Sequence, residues 1–313
     1  MILRWLLALA AVPACAQDLD TFVKEAAAKT VANFAPSLKA DHLAISVMDL
    51  SDGASGSYRG DVAVYPASVV KLFYLVNAEA QMEAGTLADT PELERALHDM
   101  IVDSSNDATG MVVDSLTGTT GGPELAGVEF AQWMEKRNLV NRYFVGLGYS
   151  GINVNQKAFA EGPYGRERQA RGPHFENNNR LTTDATARLL KSIVEHSIVT
   201  PARCDTMLKL LHRDFSGASG NPDDQGHGFS SKALPPGSQY YSKAGWTSTT
   251  RHDAIFVELP NGARYIAVIF TVDNAKNPEI IPFVSKLLVE RFYRRPPRAA
   301  PTAPLAPPAY PPR

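Results

Sequence analysis

The sequence PASVVK at residues 66–71 places a serine and a lysine one helical turn apart. Residues three positions apart share one face of a helix, so Lys71 would lie close to the Ser68 hydroxyl. That hydroxyl is a weak nucleophile until a base removes its proton, and a partly desolvated lysine can be the base because burial lowers its pKa. The pair predicts nucleophilic catalysis by Ser68, although a helix N-cap followed by a surface lysine would have the same sequence.

A second polar group, Ser104-Ser105-Asn106, follows an apolar segment with helical periodicity at residues 93–102. The Ser104 hydroxyl can pass a proton to a leaving nitrogen, and the Asn106 amide can hold a substrate amide. The alternative is the start of a helix at Ser105 or Asn106.

A third group, Lys243-Ala244-Gly245, lies at the end of a strand-like segment. Lys243 offers a positive charge for a substrate carboxylate, and Gly245 lets a substrate lie along the strand edge. The backbone N–H groups of Trp246 and Ser68 would form an oxyanion hole.

Together and in this order, these groups resemble the S-x-x-K, S-x-N and K-[ST]-G motifs of the penicillin-recognising serine hydrolases. That family contains the penicillin-binding proteins and the class A β-lactamases, and the resemblance spans about residues 18–295. It implies the following roles: Ser68 as acylated nucleophile, Lys71 as its proton partner, Ser104 as proton shuttle, Asn106 as ligand contact and Lys243 as carboxylate anchor. Thr247 and Arg251 would extend that anchor, with a surface strand residue as the alternative for Arg251.

Two departures from the family pattern bear on function. Ala244 stands where a hydroxyl is usual, which removes one contact to a substrate carboxylate. The class A loop motif E-x-x-L-N, which carries the deacylating glutamate, is absent. Counting back from residues 179–183, which resemble the segment after that loop, Glu167 is the predicted deacylating base, and Glu161 and Glu176 are the other candidates. For each of them, a structural ion pair with Arg166, Arg168 or Arg171 remains an alternative.

The elements that must position these groups follow from periodicity and turn chemistry. Helices are expected at residues 19–34, 69–84, 93–102, 130–138, 183–198 and 280–288, and strands at 43–50, 54–59, 239–243, 251–259 and 265–272. Residues 146–179 are expected to form a long ordered loop. The order predicts an α/β fold in which an antiparallel sheet, flanked by the N- and C-terminal helices, receives an inserted, mainly helical lobe. We place the sheet lobe at residues 17–60 and 235–295 and the helical lobe at 61–234, with the site at their seam.

The ends of the chain carry different signals. Residues 1–16 resemble an export signal with Arg4, a short apolar run and the small-x-small site Ala14-Cys15-Ala16, so a periplasmic or secreted protein is expected. Lipidation of Cys15 is the alternative. Export with Cys204 as the remaining thiol predicts no internal disulfide. Residues 296–313 are so rich in proline that a solvated tail is expected.

Composition narrows the function classes. The net charge is −2, and no basic patch interleaved with aromatics occurs, which disfavours nucleic-acid binding. The scattered histidines lack metal-ligand spacing, and no phosphate-binding glycine loop occurs, so neither metal nor cofactor is expected. Three hypotheses remain: a class A-like β-lactamase, a D-alanyl-D-alanine carboxypeptidase, penicillin-binding protein or esterase on the same fold, and a non-catalytic wall-binding or sensor protein. A monomer without a membrane span is expected for each.

Overall fold

The computed structural model of the chain describes residues 18–159 and 162–293. The predicted export signal, Cys15, Glu161 and the proline-rich tail lie outside the described residues. The helices are α1 (Leu19–Asn33), α2 (Lys71–Glu83), α3 (Pro91–Ile101), α4 (Asn106–Thr117), α5 (Gly127–Arg137), α6 (Leu139–Gly146), α7 (Gly165–Arg171), α8 (Thr183–Val194), α9 (Pro201–Leu211) and α10 (Ile280–Tyr293).

A single antiparallel sheet joins the two ends of the described chain. Its strands are β1 (Leu43–Asp49), β2 (Ser55–Tyr58), β3 (Gln239–Trp246), β4 (Arg251–Glu258) and β5 (Arg264–Thr271), in the spatial order β2-β1-β5-β4-β3. All four pairings are antiparallel, and β1 lies directly beside β5. The predicted fold class, a sheet completed by both ends of the chain around a helical insertion, is confirmed.

Alternation along the strands separates two hydrophobic cores. On β5, Ile266, Val268 and Phe270 pack against the helical lobe, whereas Tyr265 and Ile269 pack against the terminal helices α1 and α10. Successive side chains of a strand point to opposite faces, so both faces of this sheet are buried. The same alternation decides which residues of β3 and β4 can face the seam.

The helical lobe is built around α2, whose residues 71–79 are all buried. Helices α6, α7 and α9 were not predicted from the sequence, whereas the start of α4 agrees with the alternative of a helix beginning at Ser105 or Asn106. In α4, Gly110 and several β-branched residues weaken the helical pattern, and the helix is fixed by its Ser105 N-cap. Helix α7 lies inside the segment expected to be a loop, and its seven residues are too few to show periodicity.

The chain returns to the sheet lobe earlier than the predicted boundary at residue 235. The Arg213 N–H donates to the Tyr240 carbonyl at 2.8 Å, and Phe229 and Leu234 pack in the core on the α1 and α10 side. Apolar burial of Phe229 and Leu234 holds this part of the chain on the sheet. Among the described helices, none has the length and apolar character required to cross a bilayer.

Candidate active site

The candidate nucleophile lies in a tight turn that leads into α2. Ser68 belongs to the 3₁₀ turn Ala67–Val70 and is half-buried. Ala67 has a φ of 47°, in the left-handed region that non-glycine residues rarely occupy, and such a conformation costs about 1 kcal/mol. The turn is also held from the sheet, because the His252 Nε2 lies 2.9 Å from the Tyr65 carbonyl oxygen. Since the His252 Nδ1 accepts the Thr271 N–H at 3.2 Å, the Nε2 is the atom that donates to Tyr65.

Gly245 on β3 makes the close approach between the sheet and this turn. A Cβ atom at residue 245 would lie 2.8 Å from the Ser68 backbone nitrogen and 2.9 Å from the Pro66 carbonyl oxygen. Both atoms belong to the backbone and cannot move aside as a flexible side chain would. Glycine is therefore needed at this position if β3 is to lie against the nucleophile turn, as the sequence predicted.

Lys71 is fully buried and surrounded by polar atoms of the S-x-N turn. Its Nζ lies 2.6 Å from the Ser104 carbonyl oxygen, 3.2 Å from the Ser104 Oγ and 3.0 Å from the Asn106 Oδ1. Burial lowers the pKa of Lys71 to about 7. A substantial fraction of the amine is thus neutral near neutral pH, as a proton acceptor for a serine hydroxyl must be.

Ser104 connects the two lysines of the site. Its Oγ lies 3.2 Å from the Lys71 Nζ and 3.0 Å from the Lys243 Nζ. When both amines donate, the hydroxyl proton of Ser104 stays available for a third partner. Ser104 has a φ of 57°, which places its carbonyl oxygen and its hydroxyl together at Lys71. The predicted S-x-x-K, S-x-N and K-A-G groups therefore meet through Lys71, Ser104 and Lys243.

Asn106 joins Lys71 to the loop on the far side of the site. Its Oδ1 accepts from Lys71, and its Nδ2 donates to the Phe159 carbonyl at 3.3 Å. The predicted contact between Asn106 and a substrate remains a prediction.

The edge of β3 beyond Ala244 has the orientation that an oxyanion hole requires. The carbonyls of Tyr240 and Ser242 accept from Arg213, which lies on the side of β3 opposite β4. Because N–H and C=O directions alternate with a period of two, the Trp246 N–H also points away from β4. The Ser68 backbone nitrogen lies beside Gly245, the neighbour of Trp246 on β3. The predicted oxyanion pair is compatible with the geometry.

Arg251 lies away from the predicted carboxylate anchor, and the expected role of Thr247 stays a prediction. Arg251 pairs with Trp246 in the strand register, on the face opposite Lys243 and Gly245. Its guanidinium donates to Asp223 at 2.6 Å and lies 3.9 Å from the centre of the Phe229 ring. With 2% of its surface exposed, Arg251 is buried and is not the surface strand residue of the alternative. The Thr247 Oγ1 accepts the backbone N–H groups of residues 249 and 250 within its own turn.

Glu167 lies in a buried ion pair, the structural alternative considered for it, and its role as deacylating base stays a prediction. It forms two hydrogen bonds to Arg137, at 2.7 and 2.8 Å, and its carboxylate lies 3.3 Å from the Lys157 Nζ. Arg137 is fully buried and Glu167 is 4% exposed. The arginine partner comes from α5, distant in sequence, and is none of those expected.

Glu176, the other described candidate, accepts the His174 N–H and stabilises its own loop. Within residues 18–159 and 162–293, no carboxylate lies within 4 Å of the Lys71 or Lys243 ammonium. The described residues therefore contain no base placed against either lysine.

The substitution Glu167→Gln is expected to destabilise the fold. It would leave the buried Arg137 without a full counter-charge, and breaking a buried pair in this way costs about 3 kcal/mol. Urea unfolding of the variant measures the loss. Glu135→Gln is the matched control, because Glu135 pairs with Arg142 at the exposed surface and its loss should leave the midpoint unchanged. Native stability together with accumulation of an acyl-enzyme would instead identify Glu167 as the deacylating base.

Sequence reasoning missed two residues that build the site. His252 was considered one of several isolated histidines, but it holds the nucleophile turn, and burial lowers its pKa to about 4. Gln225, in a glycine-rich loop, accepts a hydrogen bond from Lys243 at 2.5 Å and donates to the Val102 carbonyl at 2.9 Å. Only the alternation of side chains along β4 could have indicated that His252 points toward the nucleophile turn. No sequence pattern around Gln225 indicated its contact with Lys243.

Solved structures with the same fold include penicillin-interacting proteins and β-lactamases. PBP-A has a TM-score of 0.62 at 21% identity, covering 89% of this chain and 98% of that protein. A variant of PBP-A, described as an acyl-enzyme complex with penicillin G, has a TM-score of 0.63 at 20% identity, covering 90% and 99%. A β-lactamase from Chitinophaga pinensis has a TM-score of 0.63 at 19% identity, covering 86% and 98%.

At these identities the likeness shows the fold alone, and no curated protein sequence gives a significant match. A family model described as the beta-lactamase enzyme family matches residues 87–292. The matched region contains Ser104, Asn106 and Lys243 but begins after Ser68 and Lys71. Since it covers well over half of the sequence, the chain belongs to the β-lactamase enzyme family.

Proposed function

We propose that the protein is a class A-like serine β-lactamase that hydrolyses the lactam amide through an acyl-enzyme on Ser68. The observation that carries the proposal is the meeting of Lys71, Ser104 and Lys243 around one hydroxyl, beside the strand edge at Gly245. Family membership and the acyl-enzyme described for the PBP-A variant support the same chemistry.

Acylation would follow the positions of these groups. The Ser68 Oγ attacks the lactam carbonyl carbon while its proton passes to the neutral amine of Lys71. The carbonyl oxygen gains negative charge and accepts the N–H groups of Ser68 and Trp246. The carbon–nitrogen bond then breaks, and Ser104 gives its proton to the leaving nitrogen and is reprotonated by Lys71. Attack of water on the Ser68 ester releases the acid and restores the hydroxyl.

The direct test mixes purified mature protein with a chromogenic cephalosporin. Repeated turnover, with a product yield far above the enzyme concentration, is the expected result. A single burst equal to the enzyme concentration, with a stable adduct on Ser68 by mass spectrometry, would replace the proposal by its alternative. No turnover and no adduct would leave a non-catalytic wall-binding or sensor protein.

The alternative is a D-alanyl-D-alanine carboxypeptidase, a penicillin-binding protein or an esterase on the same fold. One observation favours it: the described carboxylates at Glu167 and Glu176 are committed to other partners. An enzyme without a placed deacylating base stays acylated by a β-lactam and acts on a substrate whose acyl-enzyme hydrolyses by another route.

We further propose export to the periplasm or the medium, on the signal at residues 1–16. We also propose that the protein is a monomer that acts on a small β-lactam or a peptidoglycan stem peptide. No nucleic-acid partner is proposed. Fractionation of cells that express the full chain tests the location, and the mass of the mature protein shows whether cleavage removes Cys15.

A further inference from the structure

Every donor of the Lys243 ammonium is already used within the chain. An ammonium has three N–H donors. The Lys243 Nζ lies 3.0 Å from the Ser104 Oγ, 2.5 Å from the Gln225 Oε1 and 2.9 Å from the Ala244 carbonyl oxygen. The side chain is fully buried, and Gln225 is itself held by its bond to the Val102 carbonyl. A substrate carboxylate would have to displace one of these partners to bind Lys243.

The neighbouring positions of the strand end do not replace that donor. The methyl group of Ala244 packs in the core on the α1 and α10 side and has no hydroxyl. The Arg251 guanidinium lies on the opposite face of the sheet, bound to Asp223. The Thr247 Oγ1 accepts the N–H groups of residues 249 and 250, and its O–H is a donor without a charge, which does not replace an ammonium.

Arg213, another cation of this region, is held by backbone oxygens. Its Nε and one terminal nitrogen donate to the carbonyls of Ser242 and Ile101, at 3.2 and 2.8 Å, and 7% of its surface is exposed. Burial also lowers the pKa of Lys71 to about 7, and burial together with Lys71 lowers that of Lys243 well below its usual value. The positive charge offered to an anion near neutral pH is therefore smaller than the two lysines suggest.

From these contacts we propose that the site selects uncharged acyl substrates, esters or amides with no carboxylate next to the scissile bond, over their carboxylate-bearing counterparts. The reactive carbonyl would be held by the oxyanion pair and the β3 edge, and no charged anchor would be required. This inference rests on the proposed acylation of Ser68 and goes beyond it by naming the substrate class.

The test compares one chromogenic cephalosporin as its free acid and as the methyl ester of that acid. We expect kcat/KM, or the acylation rate constant if turnover stops after one burst, to be at least as high for the ester. A carboxylate held by a charged donor would instead make the acid roughly 10- to 100-fold better. An acid preference of 10-fold or more overturns the inference while leaving acylation of Ser68 intact. No Ser68 adduct with either compound overturns the proposed function and the inference together.

A gain-of-preference variant strengthens the comparison. Gln225→Ala releases one donor of Lys243, so the acid-to-ester ratio of rate constants should rise by roughly 10-fold. Gln239→Ala is the matched control, because Gln239 is an exposed glutamine at the other end of β3. Circular dichroism and the unfolding midpoint show whether each variant is folded. An unchanged ratio in a folded Gln225→Ala protein would show that Lys243 is not limited by this contact, which contradicts the inference.

Discussion

Replacing Ser68 by alanine is expected to abolish acylation and to reduce β-lactam turnover by at least about 10³-fold. The variant keeps the turn into α2, because the side chain of residue 68 is half-buried and alanine is tolerated beside Ala67 in a 3₁₀ turn. The loss of activity would therefore come from the missing nucleophile and not from a change in the fold. Stopped-flow assays with a chromogenic cephalosporin measure the rate, and intact-protein mass spectrometry measures the adduct.

The matched control for this substitution removes a different hydroxyl. Ser115 lies on α4, is exposed, and donates to the Met111 carbonyl of its own helix. Ser115→Ala should retain full activity and a full adduct. An adduct of undiminished yield on the Ser68→Ala protein would show that the acylated residue is another one, and the assignment of the nucleophile would fall.

The sequence alone predicted the parts of the site that are set by local spacing and strand order. Ser68 and Lys71 are one turn apart wherever that segment is placed, and Gly245 follows Lys243 on any strand. Their meeting required only that residues 43–49 and 239–271 share one sheet, which the order of elements indicated. The contacts of Lys71 and Lys243 with Ser104 agree with that expectation.

The contacts that the sequence did not predict depend on partners far away in sequence or on the alternation of side chains along a strand. Arg251 was assigned to the anchor because it lies close to Lys243 along the chain. In the sheet it pairs with Trp246, so its side chain points to the face opposite Lys243. The prediction for Glu167 assumed that counting from a neighbouring segment fixes the direction of a carboxylate. A buried guanidinium 30 residues earlier, Arg137, binds it instead, because an unpaired buried charge is costly.

The same reasoning explains why the sequence suggested that Lys243 is available to a substrate carboxylate, whereas in the structure its ammonium contacts acceptors of the chain. A lysine in a motif suggests an available charge, yet the number of acceptors around its ammonium is a property of the fold. Gln225 comes from a loop with no recognisable pattern and fills a donor position that the motif assigns to the substrate. Substrate preference in this chain therefore depends on residues outside the three motifs.

Lys71 provides the second large effect, because its spacing from Ser68 and the lowered pKa of its amine make it the expected acceptor of the Ser68 proton. Lys71→Arg retains a positive charge and donors for Ser104 and Asn106 but cannot lose its proton near neutral pH. We expect acylation to slow by roughly 10²- to 10⁴-fold, as is typical when a general base is lost. A matched control, Lys286→Arg on α10, changes a lysine outside the site and should leave the rate unchanged.

The pH dependence of the wild-type protein tests the same role independently of any substitution. Burial lowers the pKa of Lys71 to about 7, so the neutral, proton-accepting form increases as the pH rises through that value. The acylation rate constant should therefore climb about tenfold per pH unit below pH 7 and level off above it. A rate that is flat from pH 5.5 to 8.5 would mean that no group titrating in this range accepts the proton, and a rate that falls as the pH rises would mean that the charged amine is the active form. Lys71 would then orient Ser104 and stabilise charge, and another group would have to accept the Ser68 proton.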